Sequence, residues 1–205
     1  MSDLTFRAAG GGDRPALAEV FGRIASDEQL GMAGGSAKRA DRFRAVAMSS
    51  VFSAEGIGRT IVAERGGEVV GLLQSGAETG DRISPGLVIG VVRVFGVLGV
   101  RGFLRRDRAR ARVHIPPPPG SYHIAELHVL SNCRNLGIGA ALLEEGERRA
   151  REQGFAEMSL TTTTSNPARR LYERTGFELR ETKRDPEYLA LTGIEGRVLM
   201  VKRLE

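Results

Sequence analysis

A glycine-rich segment at residues 134–140, with the sequence Arg-Asn-Leu-Gly-Ile-Gly-Ala, carries the most specific chemistry in this chain. It lies between an apolar, strand-like run at residues 124–130 and the helical pattern that follows. Glycine has no Cβ, so the backbone there can approach a ligand closely. The first N–H groups of the new helix have no partner within it, and the helix dipole favours an anion beside them. Together with the guanidinium of Arg134, these groups predict a site for a phosphate group.

Two common phosphate-binding motifs do not fit this segment. No Lys-Ser or Lys-Thr pair follows the glycines, which excludes the P-loop of nucleotide-binding proteins. A dinucleotide-binding turn would have a small residue in place of Leu142 and an acid at the end of the next strand. That strand, at residues 158–163, reads Met-Ser-Leu-Thr-Thr-Thr. On this segment alone, a strand–turn–helix connection without a ligand is the other interpretation.

The spacing Arg-x-x-Gly-x-Gly-Ala resembles the acyl-coenzyme-A-binding motif of the GNAT acyltransferase superfamily. A second block, at residues 166–177, is similar to the late helix of that family, whose signature ends in Leu-Tyr, three residues and Gly-Phe. Asn166 and Pro167 suit the start of this helix, and Gly176 suits its end. Tyr172 lies on the apolar stripe of the helix, where packing in the core is the alternative to a functional role.

The resemblance implies an α/β protein with the GNAT fold, which is a mixed, mostly antiparallel central sheet of about seven strands with helices on both faces. It implies a single domain over residues 1–205 and acetyl-coenzyme A as the cosubstrate. The residues that it places at the cosubstrate are Leu127, Val129, Arg134, Asn135, Leu136, Gly137, Ile138, Gly139, Ala140, Asn166 and Tyr172. Asn135 stands where the family often has glycine. Whether Asn166 contacts the cosubstrate or only caps its helix is open at this point.

The chemistry that the resemblance implies is direct transfer of an acetyl group to an amine. A base must first take a proton from the ammonium; Glu126 is the candidate, directly or through a water molecule, with His128 as the second choice. The N–H of Val129 is the family's donor to the developing oxyanion, and Tyr172 is the candidate acid for the leaving sulfur. The alternatives for the three side chains are a surface carboxylate, a structural histidine and a core tyrosine.

Composition narrows the class of protein. A formal charge of +5 and a pI near 10.0 suit anionic ligands such as coenzyme A. The single cysteine excludes an internal disulfide, and residues 1–12 lack the apolar segment of a signal peptide, so we expect a cytoplasmic protein. His114 and His123 have no ligand-like partners in the sequence, and we therefore predict no metal.

The rest of the chain follows the order of elements in that fold. Strands are predicted at residues 4–7, 61–64, 69–74, 122–130, 158–163, 177–183 and 198–203. Helices are predicted after Asp13, with Leu17, Val20, Phe21 and Ile24 on the apolar stripe, and at residues 39–52 and 137–153. We expect loops at residues 31–35 and at residues 184–196, the second of which is long enough to shape an acceptor site.

A segment at about 79–119 is a helical insertion relative to the minimal fold. Residues 87–100 are nearly all apolar, but Arg93 and glycines interrupt them, so we expect a buried or interface helix and no membrane span. Residues such as Val94 and Leu98 would be covered either by the chain itself, as a lid beside the acceptor cleft, or by a second copy in a homodimer.

A basic helix at residues 102–112 would follow, since six arginines lie between Arg101 and Arg112. A solvated face is the ordinary explanation of such a run, with an acidic partner or a membrane surface as alternatives. No aromatic residues are interleaved for base stacking, so we expect no nucleic acid as a partner.

Two functions of different class are consistent with these residues. The first is an N-acetyltransferase acting on the primary amine of a small molecule, a peptide N-terminus or a lysine. The second is a catalytically silent module that binds coenzyme A for a regulatory or partner-binding purpose. Tyr172 and the polar face formed by Glu126 and His128 favour the first. The acceptor cannot be named, because variable loops build that site in this fold.

Overall fold

The computed structural model describes residues 3–22, 26–76 and 85–205. Its strands are β1 (Leu4–Ala8), β2 (Thr60–Arg65), β3 (Glu68–Ser75), β4 (Tyr122–Val129), β5 (Glu157–Thr163), β6 (Glu178–Arg184) and β7 (Gly196–Arg203). Its helices are α1 (Arg14–Phe21), α2 (Asp27–Met32), α3 (Ala37–Val51), α4 (Ala54–Gly58), α5 (Pro85–Arg112), α6 (Ile138–Glu152), α7 (Arg169–Arg174) and α8 (Pro186–Thr192). Within the described ranges, no helix combines the length and the apolar character that a membrane crossing requires.

The seven strands form one sheet in the order β1-β2-β3-β4-β5-β7-β6. All neighbouring strands run antiparallel except β4 and β5, which run parallel. The turn between β2 and β3 has positive φ at Gly66 (60°) and Gly67 (82°), a backbone that matches the twist of a tight hairpin. This mixed, mostly antiparallel sheet with its helices confirms the predicted fold class.

Helices cover both faces of the sheet because successive side chains of a strand point to opposite faces. Leu72 and Leu73, neighbours on β3, illustrate this. Leu73 packs with Leu142 of α6, whereas Leu72 packs with Leu17 of α1. We refer to the two sides as the α6 face and the α1 face. Ile24, predicted on the stripe of the first helix, lies outside the described residues.

The prediction of a loop at residues 184–196 is wrong, because this connection contains α8. The carboxylate of Asp185 caps the helix by accepting the N–H of Tyr188 at 2.7 Å. Pro186 occupies the first position, and Gly193 ends the helix with a φ of 78°. These start and stop signals are present in the sequence, but a helix of seven residues is too short to show a clear apolar period.

The region before α3 is also more helical than predicted. α2 extends through Met32, so the loop predicted at residues 31–35 starts later than expected. A reciprocal pair of hydrogen bonds between Ser26 and Gln29 caps the start of α2. The short helix α4 was not predicted from the sequence; the hydroxyl of Ser53 caps it.

The described part of the insertion contains α5, which consists of two helical stretches that meet at a bend at Gly96, where φ is 67° and ψ is 167°. The predicted break near residue 101 therefore falls five residues earlier. Val94 and Phe95 pack with Phe43 of α3, so much of the apolar surface is covered by the chain itself. Of the two coverings considered for Val94, the structure shows the one by the chain itself, since its side chain is buried in this cluster. Residues 79–84 of the insertion lie outside the described residues.

The second half of α5 packs against α8 through both apolar and ionic contacts. Arg112 binds Asp185 and Glu187, each at 2.7 Å, and Arg105 binds Glu187 at 2.8 Å. The hydrogen bond from Arg112, followed by the one from the N–H of Tyr188, holds the pKa of Asp185 at about 2. An acidic partner was one of the alternatives for the arginine run. For Arg105 and Arg112, that partner is α8 of the same chain, with the acid Asp185 that caps it.

Candidate active site

The central strand β4 pairs with β5 over only part of its length. Tyr122, His123 and Ile124 lie opposite residues 158–160, and among the described residues the pairing of these two strands ends there. Pairing with β3, in contrast, continues along β4 to Val129. The two parallel strands therefore separate after Ile124 and leave a gap along one edge of β4.

The N–H groups of Leu127 and Val129 point into this gap. Leu130 donates its N–H to the carbonyl oxygen of Val70 in β3, at 2.9 Å. Successive N–H groups along an antiparallel strand point to opposite edges. Leu127 and Val129 lie an odd number of residues before Leu130. Their N–H groups therefore face away from β3. The gap thus has main-chain donors that no neighbouring strand uses.

The glycine-rich loop connects the open end of β4 to α6. Gly137 precedes the helix with a φ of 80°, and Asn135 has a φ of 62°, a conformation that asparagine tolerates better than most residues. Asn135 thus adopts a backbone conformation that glycine adopts more readily. The N–H of Ala141 is the first to bond back, to the carbonyl oxygen of Gly137 at 3.0 Å. The N–H groups of residues 138–140 have no acceptor within the helix.

The two glycines of the motif serve different purposes. A Cβ on Gly137 would meet nothing within 4 Å, so its requirement is the positive φ. A Cβ on Gly139 would lie 3.0 Å from Cδ2 of Leu171 in α7. Gly139 therefore lets the start of α6 pack closely on α7. Arg134 is exposed at the loop, with Nε 3.5 Å from the carbonyl oxygen of Val129.

Tyr172 lies on α7, on the α6 face, and is only 7% exposed. Its ring packs edge-on against Phe177, with centroids 6.1 Å apart. Burial, with a smaller contribution from the charge of Glu126, raises the pKa of Tyr172 to about 12. The hydroxyl therefore keeps its proton at neutral pH.

Asn166 orders the turn before α7, although the regular helix begins at Arg169 and not at Pro167 as predicted. Its Oδ1 accepts the N–H of Ala168 at 2.9 Å, and its Nδ2 donates to Oγ1 of Thr162 in β5 at 2.6 Å. These bonds give Asn166 a structural role in tying α7 to the sheet. The predicted end of the helix agrees with the structure, since Gly176 has a φ of 90°.

Glu126 and His128 lie side by side on the α1 face of β4. Oε2 of Glu126 and Nε2 of His128 are 2.8 Å apart, in a hydrogen bond. The imidazole also packs on the ring of Phe21 in α1, with centroids 4.5 Å apart. Both side chains are partly exposed. The carboxylate and the imidazole thus form a pair, held by α1 at the edge of solvent.

The gap brings groups from both faces together. Tyr172 approaches from the α6 face, and Glu126 with His128 lies on the α1 face. The charge of Glu126 contributes to the raised pKa of Tyr172, after the larger effect of burial. A hydrogen-bonded carboxylate–imidazole pair and free main-chain N–H groups thus lie on the open half of β4, with a protonated phenol on the other face of the sheet.

A second polar group on the α1 face was not found from the sequence. Oε1 of Glu28 accepts hydrogen bonds from the hydroxyl of Tyr188 (3.3 Å) and from Arg197 (3.2 Å), and Arg197 also donates to Oγ1 of Thr161 (3.2 Å). Arg197 faces this side because its neighbour Val198 belongs to the α6-face core. Burial, then the charge of Glu28, raises the pKa of Tyr188. Glu28 is more than 150 residues from both partners in sequence, so no local pattern indicates these contacts.

In the described part of the chain, no group of three or more His, Cys, Asp and Glu side chains is arranged to hold a metal ion. His123 instead hydrogen-bonds through Nδ1 to the hydroxyl of Ser159, at 2.9 Å, inside the closed part of the sheet.

Solved structures of acetyltransferases share this fold. The polyamine N-acetyltransferase of Drosophila melanogaster, which forms N-acetylagmatine, matches with a TM-score of 0.59 and 19% identity over 98% of this chain and 100% of that one. The ribosomal-protein-S18-alanine N-acetyltransferase of Escherichia coli matches with a TM-score of 0.56 and 16% identity, over 98% and 94%. The PaiA N-acetyltransferase of Thermoplasma acidophilum, in complex with coenzyme A, matches with a TM-score of 0.57 and 15% identity, over 98% of each chain.

The sequence comparisons identify the family. No curated protein sequence matches this chain. The sequence profile described as "Acetyltransferase (GNAT) family" matches residues 36–177, more than two thirds of the chain, and this range includes the glycine-rich loop and the block that ends in Phe177. With the seven-stranded sheet and the structural neighbours, this match confirms the resemblance drawn from the motifs. The chain belongs to the GNAT acetyltransferase family.

Proposed function

We propose that this protein transfers an acetyl group from acetyl-coenzyme A to a primary amine. The observation that carries the proposal is the gap beyond Ile124, where β5 leaves main-chain N–H groups of β4 unpaired beside the Glu126–His128 pair. Acetyl-coenzyme A would supply an activated acyl thioester. The residues of this chain would bind it, orient it and move the protons.

The coenzyme fits the donors that the loop and the gap offer. Its pyrophosphate is an anion, and the N–H groups at the start of α6, with Arg134, offer donors and positive charge. Its amide-containing arm can accept hydrogen bonds from Leu127 and Val129, as an additional strand would. Leu136, Ile138 and Ala140 belong to the same loop and helix start, and we propose that their N–H groups or side chains line this site.

The Glu126–His128 pair is suited to take a proton from the acceptor ammonium. With the carboxylate ionised, the imidazole donates from Nε2 to Glu126, which leaves the lone pair on Nδ1. A base oriented by a carboxylate is a recurrent arrangement in proton transfer. Because the two groups share a hydrogen bond, we assign the role of base to the pair rather than to one member.

Tyr172 is suited to return a proton to the leaving sulfur. Its phenol is buried and protonated at neutral pH, because its pKa is raised to about 12. The N–H of Val129 points into the gap, where it can donate to the carbonyl oxygen as negative charge develops there. Tyr172 would thus act on the leaving sulfur and the N–H of Val129 on the carbonyl oxygen, the two atoms on which negative charge develops during the transfer.

We place the acceptor on the α1 face, where Glu126 and His128 are partly exposed. The cluster of Glu28, Arg197 and Tyr188 lies on the same face and involves α8, which replaces the predicted loop in this region. An amine of a small molecule, a peptide N-terminus and a lysine are all candidate acceptors. A homodimer and a cytoplasmic location stay predictions from the sequence, and this chemistry requires neither.

A panel of amines tests the proposal against a silent coenzyme-A-binding module. The panel holds agmatine and other polyamines, alanine-initiated peptides and lysine peptides, with release of the free thiol as the readout. We expect thiol release that depends on at least one amine and that is strongly reduced in Tyr172→Phe. Coenzyme A binding without amine-dependent release on any acceptor would favour the silent module.

A further inference from the structure

Exposed apolar side chains occur along α5 on both sides of its bend. Among the side chains of this helix that the structure describes, five large hydrophobic ones are exposed: Ile89, Val92, Val97, Leu98 and Leu104. We call them the apolar elbow. Val97 is 82% exposed and Leu98 is 97% exposed. Aliphatic side chains exposed to this degree, on a helix that also carries exposed arginines, are typical of an interaction surface.

An aromatic cluster holds the elbow in place. The rings of Phe95 and Phe103, on either side of the bend, have centroids 4.9 Å apart. Both contact the ring of Phe43 in α3, at 6.0 Å and 5.5 Å. The bend is therefore packed against the domain, and the exposure of Val97 and Leu98 is a property of the folded structure.

The two helices around the elbow are strongly basic. Together α3 and α5 carry eleven Lys and Arg against two Asp, which is +9, so the rest of this +5 chain carries −4. Along α5 itself, no acid occurs before Asp107. The positive charge of the protein is thus concentrated on the helical layer that presents the apolar elbow.

Part of this charge is available to a partner. Arg93, Arg101 and Arg108 are exposed, and among the described residues they have no ion-pair partner, unlike the arginines that bind α8. Lys38 and Arg42, exposed on α3, have none there either. The surface therefore combines uncovered aliphatic side chains with uncompensated cations.

Charge decides between the partners that such a surface could have. A two-fold dimer brings the same patch of both copies together, so the uncompensated cations of the two copies, Arg93 and Arg101 among them, would lie close to one another. Nucleic acid would neutralise the arginines but would offer no contact for Val97 and Leu98. An anionic bilayer surface satisfies both features, because its headgroups attract cations and its interfacial layer takes up aliphatic side chains.

We propose that the apolar elbow docks on the surface of a bilayer that contains anionic lipids, with Val97 and Leu98 inserted among the headgroups. The binding is peripheral. It is independent of the proposed acetyl transfer, since it uses no residue of the gap, the glycine-rich loop or the Glu126–His128 pair.

Sedimentation of the 205-residue protein with vesicles tests this proposal. We expect binding to mixed phosphatidylcholine–phosphatidylglycerol vesicles, much weaker binding to pure phosphatidylcholine, and a loss of binding as salt is raised. Val97→Ser combined with Leu98→Ser should weaken binding about tenfold or more, because two aliphatic side chains leave the interface. Leu179→Ser, at an exposed leucine of β6, is the matched control and should bind like the unchanged protein.

A second pair of variants tests the charge. Arg101→Ala should weaken binding to the mixed vesicles about fivefold, whereas Arg65→Ala, at the exposed β2–β3 turn, should not. Equal binding to both kinds of vesicle, or undiminished binding of the double serine variant, would overturn the proposal. So would a dimer that dissociates on Leu98→Glu without any vesicle binding, or binding to duplex DNA that exceeds vesicle binding and ignores the serine changes.

Discussion

The two halves of β4 share one strand but have opposite surroundings. The first half, Tyr122–Ile124, is hydrogen-bonded to β5 and buried. The second half, residues 126–129, has β3 on one edge only and is more exposed. The first half is further fixed by Ser159 of β5, whose hydroxyl lies 2.9 Å from Nδ1 of His123 and 2.7 Å from the hydroxyl of Ser121.

This difference explains how a sheet can hold a ligand without a deep cavity. The closed half sets the spacing of β4 and β5, and the open half offers donors that a third strand-like molecule can use. Chemistry then requires only that reactive side chains reach the opening from both faces. In the proposed reaction, Tyr172 and the Glu126–His128 pair fill these roles.

The largest effect that we expect at the open half of β4 is a loss of rate in the chemical step, caused by a substitution in the neighbouring helix α7. Tyr172→Phe keeps the ring and its packing on Phe177 and removes only the hydroxyl. The maximal rate should fall roughly 10- to 1000-fold, as expected for loss of a general acid, with little change in coenzyme A affinity. Steady-state kinetics with a calorimetric titration of coenzyme A measures both quantities. An unchanged single-turnover rate would leave Tyr172 as a core residue.

A smaller loss of rate should follow Glu126→Gln. The amide can keep a hydrogen bond to His128 but cannot share a negative charge with it, so the maximal rate should fall about 10- to 100-fold. Glu178→Gln, at an exposed glutamate of β6, is the control for loss of a surface charge. If both variants keep the full rate, the carboxylate of Glu126 is an ordinary surface group of the strand.

Gly137→Ala should weaken coenzyme A binding about tenfold, because alanine at a φ of 80° costs roughly 1–2 kcal/mol and pulls the loop from its conformation. Gly154→Ala is a matched control: Gly154 has a φ of 79°, and its Cβ would also meet open space. Both variants should lose similar stability in thermal unfolding. Equal affinity in both would contradict the role of the loop.

The smallest effect that we expect is on stability, and it concerns α8, which is not part of the open half of β4. The pKa of Asp185 is lowered in the folded protein from 3.8 to about 2. Its carboxylate therefore stabilises the fold above about pH 4, and this contribution is lost as the pH falls towards 2. Asp185→Asn should lower the unfolding temperature slightly at pH 7 and have less effect near pH 2. A difference that grows on acidification would contradict this assignment.

The site motifs were predictable because their causes are local. Gly137 and Asn135 have backbone conformations that few residues tolerate, and Gly176 ends α7 with a positive φ. Period-two geometry was enough to place Glu126 and His128 on one face, where they form their hydrogen bond.

The rest of the site depends on contacts between distant parts of the chain. The gap begins where pairing stops at Ile124, and no residue type in β4 marks that point. Glu28 accepts a hydrogen bond from Arg197, which lies 169 positions later in the sequence. The apolar pattern of the insertion predicts that Val94 is covered, but it does not show whether the chain itself or a second copy covers it. In the structure, Val94 packs with α3.

The central claim is that the open half of β4 receives acetyl-coenzyme A. Amide hydrogen exchange, followed residue by residue by NMR with and without the ligand, measures this directly. The N–H groups of Leu127, Val129 and residues 138–140 should exchange fast in the free protein and become protected on binding, while those of residues 122–124 should be protected throughout. Saturating acetyl-coenzyme A that leaves Leu127 and Val129 unprotected would contradict the account.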